Sequence, residues 1–371
     1  MIKVGITGQS GFMGTHLFNF LGLKPDEIQR IPFEDTYFEN KEKLKNFVTK
    51  CDVIIHLAAM NRHSDPQVIY DTNIRLVSQL IDVLEEVDHK PHILFSSSTQ
   101  EERDNPYGKS KKEGRALLEK WALRNNARFS GLIIPNVFGP FGNPYYNSVI
   151  ATFCHQIAHN EELKIEIDAS VKLIYINDLI DVFCQVIQGK VNETALYVDH
   201  TAERKVSDIL KRLNKFKHLY LEQNIIPDLL DHFDVSLFNT FRCYLDHSHY
   251  PVQLKLHADN RGHLVEIIKS NTGGQIFYSQ TKPGITRGNH FHRRKIERFC
   301  VVKGEASIRL RKIGINDTIE YKVTGDKPAT IDMPIYYTHN ITNSGKNDLL
   351  TLFWTNEIFN PEDTDTFYEE V

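Results

Sequence analysis

The chain has 371 residues, 41% of them hydrophobic and 25% charged, with a formal net charge of -4. That length favours two cores, since domains usually run about 100–200 residues. The charge balance gives no reason to expect a nucleic-acid partner, which usually meets a basic excess or stripe, and no apolar run reaches the roughly 20 residues that span a bilayer.

Met1-Ile-Lys-Val-Gly-Ile-Thr leads straight into a strand and carries no secretory signal pattern. The five cysteines (Cys51, Cys154, Cys184, Cys243, Cys300) have neither metal-ligand nor redox spacing. Reduced thiols in a cytoplasmic protein are therefore expected. From Lys3 to about Ile187, short apolar runs at Lys3–Thr7, Val53–Ala58, Ile93–Ser96 and Gly131–Pro135 alternate with amphipathic stretches. This predicts βαβ units and a parallel sheet.

Directly after the first strand stands Gly8-Gln-Ser-Gly11-Phe12-Met13-Gly14, opening a helix. Glycines at steps of three allow a tight turn and close backbone approach, so that a pyrophosphate can sit on the helix N-terminus. A structural glycine turn is the competing reading, which the strand–turn–helix context outweighs. After the second strand, where an acidic residue is expected, stands Arg30. An arginine suits a 2′-phosphate and so NADP. A solvated surface arginine is the rival reading, and Glu34 and Asp35 leave NAD open.

Further on, Phe95-Ser-Ser-Ser98-Thr99 ends a strand, and Asn105-Pro-Tyr107-Gly-Lys-Ser-Lys111 opens a helix. Tyr107 and Lys111 are four apart, hence on one helix face. A nearby ammonium lowers a tyrosine pKa and readies it for proton transfer. The stretch from Val191 to Leu245 reads as helical, with Leu210, Leu213, Leu219, Leu229 and Leu230 as core candidates. Asp246-His-Ser-His-Tyr-Pro is taken as the link, giving domains at 1–247 and 248–371.

Beyond Pro251, strand-like runs recur at Gln275–Ser279, Phe299–Val302, Ala306–Arg311, Thr318–Val323 and Leu349–Trp354, separated by turn signals. A small β-barrel or jelly roll is predicted. Within it, His290 and His292 leave one face of a strand, Glu297 returns on the next strand, and His339 supplies a third imidazole. Three histidines and a carboxylate suit a divalent Zn, Mn, Fe or Ni, zinc being the favoured ion. His263, Lys303, Tyr336 and Tyr337 are candidates for proton transfer.

The N-terminal motifs resemble the extended short-chain dehydrogenase/reductases of the sugar-nucleotide epimerase/dehydratase group. The likeness rests on the glycine loop, His56-Leu57-Ala58-Ala59, Asn73, the serine strand, the Tyr/Lys pair and Asn136-Val-Phe-Gly-Pro140. It implies a Rossmann fold, Ser98 (or Thr99), Tyr107 and Lys111 as the catalytic set, and Leu57, Ala58 and Ala59 lining the cofactor cleft. Asn147 would lie near a nucleotide-sugar pyrophosphate. Two departures stand out: Arg30 where an acid is usual, and a short loop between Ser98 and Tyr107. The C-terminal constellation resembles the cupin pattern, with Tyr336 in place of a glycine, so that the loop carrying His339 is expected to be displaced.

Over its whole length the chain resembles the CapF, WbjC and FnlB family of bifunctional capsule and O-antigen enzymes. The resemblance implies an NADPH-dependent homodimer acting on a UDP-linked 4-keto-6-deoxy-hexosamine, with carbon 3 epimerisation in the cupin and carbon 4 reduction in the reductase. A non-catalytic NADPH sensor, a cupin metal oxygenase and a scaffold are the rival classes.

Overall fold

The computed structural model describes residues 1–371 except 192, 260, 261, 266, 271–273 and 358, and except the side chains of 256–259 and 262–265. The chain divides into two compact units. One holds Met1–Phe138, Gly142–Val149 and Ala169–Lys205; the other holds Gly139–Phe141, Ile150–Asp168 and Val206–Val371. In this division the helical stretch from Val206 groups with the C-terminal strands.

In chain order the elements begin with β1 (Ile2–Thr7), α1 (Phe12–Leu21), β2 (Ile28–Ile31), α2 (Lys41–Val48), β3 (Val53–His56), α3 (Pro66–Glu86), β4 (His92–Ser98), α4 (Pro106–Asn125) and β5 (Phe129–Ile134). There follow β6 (Asn136–Phe138), α5 (Val149–Ala158), β7 (Ser170–Tyr175), α6 (Ile176–Ile187), β8 (Leu196–Tyr197) and β9 (Ala202–Lys205).

The main sheet of the first unit runs β2-β1-β3-β4-β5-β8 with every pair parallel. Its central strands are buried throughout because helices cover both faces, which is why they read as unbroken apolar runs. After β2 the chain crosses β1 to place β3 on its other side. The C-terminal ends of β1 and β3 are thus the point where the strand order reverses, the usual place for a ligand crevice. Proline at the first position and an asparagine cap start α4: Asn105 Oδ1 accepts the Gly108 N–H at 2.7 Å.

The second unit continues with α7 (Val206–Phe216) and α8 (His232–Arg242). Here the leucine expectation needs correcting. Leu213 is buried, but Leu230 is 83% exposed, just before the Asp231 cap of α8. The core is instead built from Ile209, Phe216, Leu237, Phe238 and Phe241, since the helical period selects aromatic positions that a leucine count overlooks.

The remaining strands are β10 (Val252–Gln253), β11 (Leu256–Asp259), β12 (Gly262–Val265), β13 (Gln275–Thr281), β14 (Thr286–Phe291), β15 (Glu297–Lys303), β16 (Glu305–Lys312), β17 (Thr318–Thr324), β18 (Ala329–Met333), β19 (Tyr337–Asn343), β20 (Leu349–Thr355) and β21 (Phe367–Tyr368). They form two antiparallel sheets, β10-β18-β15-β20-β13 and β17-β16-β19-β14-β21, with β11–β12 as a separate hairpin. Phe299, Val301, Ile331 and Phe353 of one sheet share a core with Ile308, Leu310, Val323 and Ile341 of the other. A Rossmann-like domain followed by a cupin-like antiparallel domain is the expected fold class.

Candidate active site and metal centre

The glycine loop closes over the crevice between β1 and β3. Gly8 has φ +70°, and a Cβ there would stand 2.8 Å from the Ala58 backbone; a Cβ on Gly14 would stand 2.2 Å from Gly8 O. Leu57 N–H donates to Thr7 O at 3.1 Å, so Leu57, Ala58 and Ala59 lie beside the loop. Gly11 caps α1 without a side-chain hydrogen bond. The first-turn N–H groups, with Phe12 and Met13 at their start, are left for an anion. This cradle fits a dinucleotide pyrophosphate.

Arg30 is not brought to that cradle. Its guanidinium donates to Phe18 O at 3.0 Å and lies 4.4 Å from the centroid of the Phe18 ring. It therefore packs on the last turns of α1, the end away from the glycine loop. The residues after β2 that meet the loop are Phe33, whose N–H donates to Gln9 Oε1, and Asp35, which accepts from Ser10 Oγ at 2.7 Å. In this structure the carbonyl and ring face of Phe18 on α1 hold the Arg30 side chain.

Tyr107 and Lys111 share a face of α4. Lys111 is 4% exposed, and its Nζ donates to Ser96 O at 2.9 Å and lies 5.7 Å from the centroid of the Tyr107 ring. Burial lowers the ammonium to about 8 and raises the Tyr107 hydroxyl to about 12, the Tyr146 phenol adding to the latter. The ammonium does not draw Tyr107 downward as the spacing alone suggested, because desolvation governs both groups. Ser98 stands at the end of β4. Its Oγ accepts the Gln100 N–H at 3.2 Å, which leaves its hydrogen to donate. Ser96 is buried and bonds to His56 O, whereas Thr99 is exposed.

Several pairings around this set escaped the sequence reading. Glu101, in the short loop before Tyr107, accepts Arg115 bidentately at 2.9 and 2.9 Å and also the Ser97 hydroxyl. Arg62 donates to Tyr145 O at 2.5 Å and Tyr146 O at 3.1 Å, fixing the loop that carries the exposed Asn147. Asn73 joins Met60, just past Ala59, to Ser110 on α4. Sequence separation hides most of these pairings; only Ser97 and Glu101 stand four apart.

In the second unit, His290 on β14, His292 just beyond it, Glu297 at the start of β15 and His339 on β19 converge. Their ligand atoms all lie within 4.8 Å of one another. Asn289, at φ 59°, forms a bulge that turns His290 toward its partner His339. His292 Nε2 and His339 Nε2 lie 2.9 and 3.2 Å from Glu297 Oε2. Their Nδ1 atoms face the carbonyls of Asp365 at 2.6 Å and Tyr337 at 3.1 Å. A carbonyl only accepts, so each Nδ1 bears hydrogen, and in the neutral ring each Nε2 presents a lone pair toward Glu297. Those two nitrogens and Glu297 Oε2 are buried without a hydrogen-bond partner. Facing the Glu297 carboxylate, these nitrogens are satisfied either by a proton on the imidazole or by a cation held between them.

Burial, with His339 and His292 adding, lowers His290 to about 3, which keeps it a neutral donor. Burial opposes charge on Glu297, yet His292 holds it well below the carboxylate range. The donor set fits a divalent metal. His339 is not displaced. Tyr336 adopts φ 59°, the conformation a glycine would take, and its N–H donates to His292 O at 2.9 Å.

Among the proton-transfer candidates, Lys303 is exposed and six residues along β15 from Glu297, about 20 Å away at strand rise. Tyr337 Oη lies 3.2 Å from His247 Nε2, and Tyr336 stacks on Phe291. The His263 side chain lies outside the described residues. No helix among the described residues is long and apolar enough to cross a membrane.

Residues 4–197 match the NAD dependent epimerase/dehydratase family, and residues 257–367 match the polysaccharide biosynthesis C-terminal domain. A UDP-2-acetamido-2,6-beta-L-arabino-hexul-4-ose reductase of Pseudomonas aeruginosa is 31% identical over 368 residues, covering 99% of this chain and 98% of the relative. The crystal structure of the capsular polysaccharide assembling protein CapF from Staphylococcus aureus is similar over 100% of both chains, with 35% identity and a TM-score of 0.64. RMD from Pseudomonas aeruginosa, solved with NADPH, shares the fold over 58% of this chain and 82% of its own at 21% identity and a TM-score of 0.53.

Proposed function

The chain belongs to the NAD dependent epimerase/dehydratase family, within the CapF group that adds a cupin-like domain, and on that premise we propose a bifunctional sugar-nucleotide enzyme. The substrate is a UDP-linked 2-acetamido-2,6-dideoxy-4-keto hexose. The C-terminal domain epimerises carbon 3, which the neighbouring ketone acidifies. The N-terminal domain reduces carbon 4, giving UDP-2-acetamido-2,6-dideoxy-L-talose.

The observation that carries the reading is the placement of Tyr107 and Lys111 on one face of α4, next to the serine strand and the glycine cradle. Bound NADPH would supply the hydride to carbon 4. Gly8, Gly11 and Gly14 receive the pyrophosphate, and Leu57, Ala58 and Ala59 line the cleft. Tyr107 gives its proton to the carbonyl oxygen as charge develops there, and Ser98 donates a hydrogen bond to the same oxygen. A tyrosine pKa near 12 keeps that proton in place at neutral pH, which suits the reducing direction. Lys111 holds the nicotinamide ribose and compensates the phenolate left behind. Asn147 meets the nucleotide-sugar diphosphate.

His290, His292, Glu297 and His339 would hold a divalent metal, zinc being favoured, which supplies a Lewis acid toward the ketone oxygen. On the cofactor, Asp35 beside the glycine loop supports NADH as a second reading, because an acid there bonds a ribose hydroxyl.

The test is nicotinamide oxidation, followed by absorbance with NADPH and NADH, on adding the product of a UDP-N-acetylglucosamine 4,6-dehydratase/5-epimerase. Oxidation is expected, and in Tyr107→Phe it falls by about 10²–10⁴-fold. Folded His290→Ala is expected to lose exchange of the carbon 3 proton with solvent. No oxidation with either cofactor, despite cofactor binding, overturns the reductase assignment.

A further inference from the structure

The last nine residues reach back across the metal cluster of the second unit. Asp365 O accepts from His292 Nδ1 at 2.6 Å, 73 residues away in sequence. The Asp365 carboxylate, 5% exposed, accepts three consecutive backbone N–H groups: Arg293 at 3.2 Å, Arg294 at 2.9 Å and Lys295 at 2.9 Å. These residues form the turn between His292 and Glu297. One residue thus fixes the ring orientation of one ligand with its carbonyl and the path from that ligand to the next with its side chain.

The rest of the tail continues the pattern. β21 pairs with β14, Tyr368 standing opposite His290, and Glu369 N–H donates to Asn289 O at 3.0 Å, at the bulge that turns His290. Thr338, next to His339, donates to Glu369 O. Arg311 binds the Glu369 carboxylate at 2.8 Å and the Glu370 carbonyl. The segment from Asp365 to Glu370 therefore touches residues at or beside all three histidines and the turn leading to Glu297.

We infer that this C-terminal segment is part of the metal centre, with Asp365 as its positioning residue. The reading rests on the metal assignment made above. Its physical basis is that a histidine ligand needs its other ring nitrogen fixed, and removing such a partner typically weakens metal binding by about 10–100-fold. The carbonyl of residue 365 survives any substitution, but its position depends on the anchored carboxylate. Without that anchor, His292 is free to rotate and the 293–295 turn loses three charge-assisted hydrogen bonds.

Asp365 has φ 43°, the left-handed region that Asp, Asn and Gly tolerate. Asp365→Gly therefore deletes the carboxylate without adding backbone strain, and Asp365→Asn keeps an acceptor. Wild type, Asp365→Gly and Asp365→Asn are each loaded with zinc and titrated with a chromophoric chelator, and the folded state is followed by circular dichroism. Asp365→Gly is expected to give up zinc at a 10–100-fold lower chelator concentration, with Asp365→Asn recovering most of the loss. Equal zinc retention by wild type and a folded Asp365→Gly overturns the role of the tail. A wild-type protein that takes up no zinc, cobalt or manganese overturns the metal assignment itself. If Asp365→Gly does not fold, Thr338→Val, which removes the hydroxyl that donates to Glu369 O, decides: zinc retention equal to wild type overturns the proposal.

Discussion

Lys111 is held in a place that works against the stability of the protein. Its side chain is 4% exposed and its ammonium falls from 10.5 to about 8, chiefly through burial. At about 1.4 kcal/mol per pKa unit, keeping that charge inside costs about 3 kcal/mol at neutral pH. Between pH 8 and 10.5 the unfolded chain binds the proton that the folded chain has released, so stability rises with pH through that window. The variant Lys111→Met removes the titration while keeping the volume, and forfeits the bond to Ser96 O, worth about 1 kcal/mol. Urea unfolding of wild type and Lys111→Met, each at pH 7 and pH 10.5, isolates the effect, because the other tyrosines and cysteines cancel in the difference. The variant's advantage over wild type is expected to shrink by about 3 kcal/mol between the two pH values, while its nicotinamide oxidation is lost at both. Parallel curves, with a constant gap between wild type and variant, would refute the premise that the lysine is held charged against its burial.

Two further expectations follow from the same unit. Glu101→Ala leaves Arg115, 17% exposed, without its bidentate partner, and is expected to cost about 3 kcal/mol in urea unfolding. Most of that should return in the double variant Glu101→Ala/Arg115→Met, whereas kcat stays depressed because Ser97 and the loop before Tyr107 have lost their anchor. Gly14→Ala drives a Cβ to 2.2 Å from Gly8 O. It is expected to weaken NADPH binding about tenfold or more, or about 1.4 kcal/mol, read by cofactor fluorescence.

What the sequence disclosed follows from where local spacing dictates position. Glycines at steps of three on a strand-to-helix turn, Tyr107 and Lys111 one helical turn apart, and His290 and His292 two apart on a strand have their geometry set by elements they themselves belong to. The direction of Arg30 depends on Phe18, twelve residues earlier and on another element. Glu101 and Arg115, or Asp365 and His292, meet only through the tertiary fold. β14 and β19 carry few of the alternating apolar residues that reveal a strand, because their inward positions are given over to ligands and asparagines. Polar residues buried for chemistry erase the periodicity by which burial is normally recognised.

Tyr336 shows the same conflict in the backbone. A bulky residue in a left-handed conformation costs about 1–3 kcal/mol, and such strain persists only where the surroundings fix it. Here Tyr336 N–H is tied to His292 O, Ile313 N–H donates to Tyr336 O, and the ring stacks on Phe291. Glycine's permissiveness is thus replaced by three contacts, two of them to the strand segment that carries His290 and His292. The substitution that predicted a displaced His339 instead ties the turn before His339 to the ligands of β14, so the cluster draws its order from packing and hydrogen bonds as well as from any ion it holds.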